Sequence, residues 1–146
     1  MLRLLIAVVT AVLLAAPASA SAHATLEGSA PPRGATAKEQ PGAVVLRFSE
    51  PVEGNFGAVR VYDAEGEQVD QGEAFHPGGE GAKLGVRLEP GLPDGSYTAT
   101  YRVVSADGHI VSGGYVFSIG AAGRAPEETV AELVAGRGAD AVAEIG

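Results

Sequence analysis

Between Thr25 and Gly120 the apolar residues recur at every second position in short runs, and each run is closed by glycine, proline or aspartate. Val44, Leu46 and Phe48 share one side of "AVVLRFS", Val59 and Val61 of "GAVRVYD", and Leu84, Val86 and Leu88 of "KLGVRL". Tyr97, Ala99, Tyr101 and Val103 do so in "SYTATYRVVS", and Tyr115, Phe117 and Ile119 in "GGYVFSIG". A period of two lines up side chains on one face of a strand, whereas a helix needs a period near 3.6. Each run therefore buries one face against an opposing sheet, and the glycines and prolines between the runs supply the turns. With "ATLEGS" at the start and a weak strand near Glu67–Asp70, about seven strands are expected. That is the pattern of an all-β, immunoglobulin-like Greek-key sandwich or barrel. In "LPDGSYTATY", a turn leads into Tyr97 at the start of a late strand. This reads either as a tyrosine corner or as a Pro-Asp-Gly turn before an ordinary core tyrosine.

The two ends differ from this middle. Met1–Arg3 carries one positive charge, and Leu4–Ala16 is apolar apart from Thr10. The apolar run is too short to span a bilayer, which takes roughly 20 residues, and it leads into small residues suited to a signal peptidase. Residues 1–22 are thus expected to be a signal peptide, with A-x-A cleavage sites ending at Ala20 and at Ala22. Cleavage after Ala22 makes His23 the first residue of an exported protein. After the domain, residues 121–146 form a tail in which Pro126, Glu127 and Glu128 suit a helix start. Val130, Leu133 and Val134 would line one side before Gly136 and Gly138 interrupt, giving a short helical or disordered segment without a membrane anchor.

The expected mature portion, residues 23–146, is long enough for one domain with a core. Losing Arg3 with the leader takes the formal charge from −8 to −9. So acidic a chain lacks the basic patches that bind phosphates, which argues against a nucleic-acid partner. Cysteine is absent and Met1 is the single methionine, so a metal site must be built from nitrogen and oxygen donors. A monomer is expected.

The three histidines are His23, His76 and His109. His109 lies in "VVSADGHIVSGG", two residues after Asp107, between two strand candidates. Residues i and i+2 of an extended chain project to one side, and Gly108 lets the backbone bend so that carboxylate and imidazole converge. Such a pair is half of a metal site, or an Asp-Gly turn beside a solvated histidine. As a mature terminus, His23 would offer an α-amine and an imidazole that close a chelate ring on one ion. With Asp107 and His109 it makes three nitrogens and one carboxylate oxygen, a set suited to copper(II), then nickel(II), with zinc after them. An α-amine titrates at roughly 7.7–8.0, so binding displaces a proton and weakens as pH falls. His76, in "AFHPGGEGA", has Glu73 and Glu80 nearby and reads as a solvated loop residue.

"HATLEGSAPPRGA", then "VVLRFSEPVE", then "YTATYRVVSADGHIVSGGYVFSIG" together resemble the CopC family of exported copper-binding proteins along residues 23–120. The resemblance implies an immunoglobulin-like β-sandwich or barrel working in the periplasm or otherwise outside the cytoplasm. It also implies copper(II) held by His23, Asp107 and His109, with Glu50 of "FSE" at or beside the ion. Glu50 then acts as an axial ligand or as a hydrogen-bond partner that orients one; read by itself it is an exposed strand-end carboxylate. Some members carry a methionine-rich loop for copper(I), which this chain lacks. The expected function is copper(II) buffering or carriage for resistance and homeostasis, without catalytic turnover, and with delivery to a membrane copper importer. The alternatives are an oxidative enzyme built on a histidine brace and a metal-free sandwich module that binds another protein.

Overall fold

The computed structural model describes residues 23–120 together with Val134 and Ala135, which are helical. The expected leader and nearly all of the expected tail lie outside the described residues. Nine strands follow in chain order: β1 (Leu26–Ala30), β2 (Thr36–Ala37), β3 (Ala43–Phe48), β4 (Val52–Glu53), β5 (Val59–Tyr62), β6 (Asp70–Phe75), β7 (Lys83–Leu88), β8 (Gly95–Ser105) and β9 (Ile110–Ile119). They form two sheets, β1-β3-β7-β6 and β2-β9-β8-β4, with β5 also paired to β8. The described residues make an open sandwich and not a closed barrel. The strands outnumber the expected seven because β2 and β4 are two residues long, too short to leave a periodic signal. Among the described residues no helix is long and apolar enough to cross a membrane.

The period-two faces meet between the layers. Val44, Leu46, Leu84 and Val86 of one sheet and Val59, Val61 and Phe117 of the other are fully buried. Burying a Val, Leu or Phe side chain contributes about 1.5–3 kcal/mol, which is what holds a small domain without disulfides together. The strand β8 departs from simple alternation, since Thr98 and Thr100 on its other side are buried as well. Tyr97 resolves the choice left open by the sequence: its hydroxyl donates to the Pro93 carbonyl at 2.5 Å, a tyrosine corner. Its ring stacks on Phe117 with centroids 5.8 Å apart.

One expected strand is displaced. In place of a strand over Glu67–Asp70 there is a single bridge between Tyr62 and Gln68, and β6 begins at Asp70 and runs to Phe75. The reason lies in Asp70, which is 6% exposed. Its carboxylate accepts the Val61 amide at 2.7 Å and the Gly72 amide at 2.8 Å, taking acceptor places that a strand backbone would otherwise fill.

Candidate metal centre

The site lies at the end of the sandwich where β8 turns into β9. The turn is dictated locally: the Gly108 amide donates to the Ser105 carbonyl at 2.9 Å, and the Ser105 amide to the His109 carbonyl at 2.9 Å. A three-residue loop, Ala106 to Gly108, thus closes as a type I turn followed by a left-handed residue, Gly108 at φ 84°. Glycine adopts that angle without a Cβ clash. Asp107 therefore faces the entry to β9, and its Oδ2 lies 3.1 Å from His109 Nδ1.

His23 arrives from the other sheet. Ala24 is buried in the core at 3% exposure. Beside it Thr25 exchanges two bonds with Ser49, its amide donating to Ser49 Oγ at 3.0 Å and its carbonyl accepting the Ser49 amide at 2.9 Å. These extend the β1–β3 pairing past Leu26↔Phe48 and carry His23 to the hairpin. His23 Nδ1 stands 3.5 Å from Asp107 Oδ2. The two imidazoles have ring centroids 4.3 Å apart and are tilted by 32°.

Ligand-type atoms of His23, Asp107 and His109 all lie within 4.8 Å of one another, the one such group of three among the described residues. Two imidazole nitrogens and a carboxylate oxygen at that spacing are the donors a borderline transition-metal ion takes. The side chains of His23 and His109 are 54% and 62% exposed, while that of Asp107 is more sheltered at 21%. The Asp107 pKa falls from 3.8 to about 2. The largest cause is the Ser105 hydroxyl, which donates to Oδ1; desolvation opposes it, and the His109 amide and imidazole add to the lowering. The carboxylate is thus an ionised donor throughout the neutral range.

The structure brings together three of the four sequence-predicted residues. Glu50 lies outside the 4.8 Å group. It follows Ser49, which is bonded to Thr25, and precedes Val52, which pairs with Ser105. Its backbone therefore runs between the His23 segment and the Asp107 hairpin. Glu50 is half-buried, and its Oε1 is fully covered without a hydrogen-bond partner. His76 is exposed and its Nδ1 meets the Lys83 carbonyl at 2.6 Å, in keeping with the solvated-loop reading. Sequence reasoning missed Ser49 and Ser105, the two serines that hold the halves of the site.

A two-layer β-sandwich with an imidazole–carboxylate–imidazole group at one end defines a small metal-binding β-domain. Comparison with known proteins narrows that class. The CopC domain profile matches residues 26–120, and the chain belongs to the CopC family.

The chain is 38% identical over 106 residues to the copper transport protein CutJ of Bacillus subtilis, a match covering 73% of this chain but 20% of that protein. The chain thus spans about one fifth of that relative's length. The YobA protein of Escherichia coli is 35% identical over 98 residues, covering 67% of this chain and 79% of that one. Among solved structures, CopC from Methylosinus trichosporium OB3b superposes with a TM-score of 0.60 at 32% identity, covering 66% of this chain and 93% of that one. PcoC of Escherichia coli, described as a methionine-rich copper resistance protein, gives 0.54 at 25% identity over 67% of this chain and 99% of that one. Here the chains diverge in composition, since this one has Met1 alone.

Proposed function

We propose that this protein is exported, loses residues 1–22, and binds one copper(II) ion through His23, Asp107 and His109. The observation that carries the reading is the convergence of those three residues, from both sheets, within 4.8 Å. After cleavage at Ala22 the His23 α-amine joins its own imidazole, giving three nitrogens and one oxygen. Such donors favour copper(II); copper(I) prefers thioethers and thiolates, which residues 23–146 do not contain. Reduction would therefore loosen the ion, and the protein would act as a buffer or carrier that gives copper up on reduction. Its receiver would be a membrane copper importer, and its place of work the periplasm or cell exterior. A monomer suffices, since one chain supplies all the donors.

Glu50 completes the proposal. A covered carboxylate oxygen without a donor is costly, so its position suits a group that gains a partner when the ion and its ligands are in place. We assign it an axial or ligand-orienting role.

The test combines mass spectrometry of the exported protein with electron paramagnetic resonance of its copper(II) adduct. A terminus at His23 and couplings from two imidazoles and an amine are expected. A terminus at Ser21 with no retained copper would defeat the reading.

A further inference from the structure

We propose that Ser105 is a positioning residue that fixes Asp107 as a one-oxygen donor. It does so by occupying Oδ1, so that Oδ2 alone is offered to the metal, and the proposal rests on the copper reading above. Ser105 closes β8 and is 4% exposed, so its hydroxyl must find partners inside the hairpin. Oγ meets two acceptors, Asp107 Oδ1 at short range and the His109 carbonyl at 3.0 Å. One hydroxyl carries one proton. The His109 carbonyl already accepts the Ser105 amide, whereas Asp107 Oδ1 is anionic and forms the stronger, charge-assisted bond. The proton therefore goes to Asp107.

Oδ1 also accepts the His109 amide at 3.1 Å. Two donors thus hold one oxygen, while the other faces His109 Nδ1 at 3.1 Å and His23 Nδ1 at 3.5 Å. The hairpin itself makes the two oxygens inequivalent before any ion arrives. A carboxylate held this way resists the rotation needed to grip an ion with both oxygens, a mode common for calcium. Ser105 in this way biases the site toward a compact nitrogen-rich set and against larger oxygen-seeking cations.

The test uses Ser105→Ala and Ser105→Thr in the processed full chain. Alanine is expected to weaken copper(II) binding by about 10–100-fold, as loss of a partner behind a ligand does. It is also expected to shift the paramagnetic resonance parameters of the adduct and, without metal, to speed hydrogen exchange of the His109 amide. Threonine, which keeps the hydroxyl, should restore all three. An alanine variant whose spectrum, affinity and amide exchange match the parent would overturn the proposal. If the parent itself shows no nitrogen-coupled copper spectrum, the copper reading fails. The His109 amide then still decides whether Ser105 positions Asp107, and unchanged exchange would refute it.

Discussion

His23 and His109 come from opposite ends of the β-domain, yet their ring centroids lie 4.3 Å apart and both Nδ1 atoms approach one carboxylate oxygen, Asp107 Oδ2. Neither half of the site presents three donors alone. Substituting His23 or His109 by alanine should each cost more than the roughly 10–100-fold typical of losing a partner behind a ligand. Each should also remove one imidazole from the nitrogen couplings of the copper(II) spectrum. Competition titration against a chelator of known strength measures the first effect, and pulsed resonance the second.

Asp107 sets a pH dependence whose direction is fixed. A carboxyl whose pKa drops on folding contributes stability above its unfolded value and loses it as pH falls through the folded one. For Asp107 that window runs from 3.8 down to about 2. Carbon NMR of the metal-free protein should show this carboxyl titrating well below 3.8. Copper loss on mild acidification should then follow proton competition for the nitrogen donors, and Asp107→Asn, by lowering overall affinity, should move the midpoint of that loss to higher pH.

The Tyr97 hydroxyl bonded to Pro93 at 2.5 Å predicts a purely structural variant. Tyr97→Phe should cost about 0.5–1.5 kcal/mol. In a domain of this size about 1 kcal/mol lowers Tm by roughly 4–8 °C. The copper spectrum should not change, because the corner lies on β8 at the end away from Ser105. Calorimetry alongside resonance on the same sample separates the two.

Gly54 tests the packing. A Cβ there would sit 2.6 Å from that of Ala58 and 2.7 Å from Leu84 Cδ2, inside the core. Gly54→Ala should destabilise by about 1–3 kcal/mol through overpacking, read as a lower urea midpoint with an unchanged slope.

Copper(II) at 100 times its dissociation constant should stabilise the folded chain by about 2.7 kcal/mol. Added chelator should return Tm to the metal-free value. His109→Ala should abolish the rise at the same copper concentration.

The core could be read from the residues because burial and period coincide: Val44, Leu46 and Phe48 alternate without interruption and are at most 2% exposed. β6 could not, because Asp70 and Gly72 break the alternation and its order comes from a carboxylate that replaces backbone acceptors. β2 is two residues pairing in parallel with β9, a contact set by the tertiary fold. At the site, Asp107 and His109 were visible through their spacing around Gly108. The approach of His23 is a long-range event that nothing local encodes, and it came from motif resemblance. Ser105 had one signal, a serine two residues before the aspartate of an Asp-Gly turn, which is where a hydroxyl can cap the loop.

β1 is an edge strand of its sheet, and His23 precedes it while Asp107 and His109 sit in the opposite layer. An ion gripped by all three would close the polypeptide into a ring passing through β1 to β8. Peeling β1 away, by force or by an aminopeptidase, would then require breaking metal bonds first. On the proposed reading the cargo would double as a latch on this edge strand, and unloading would open it.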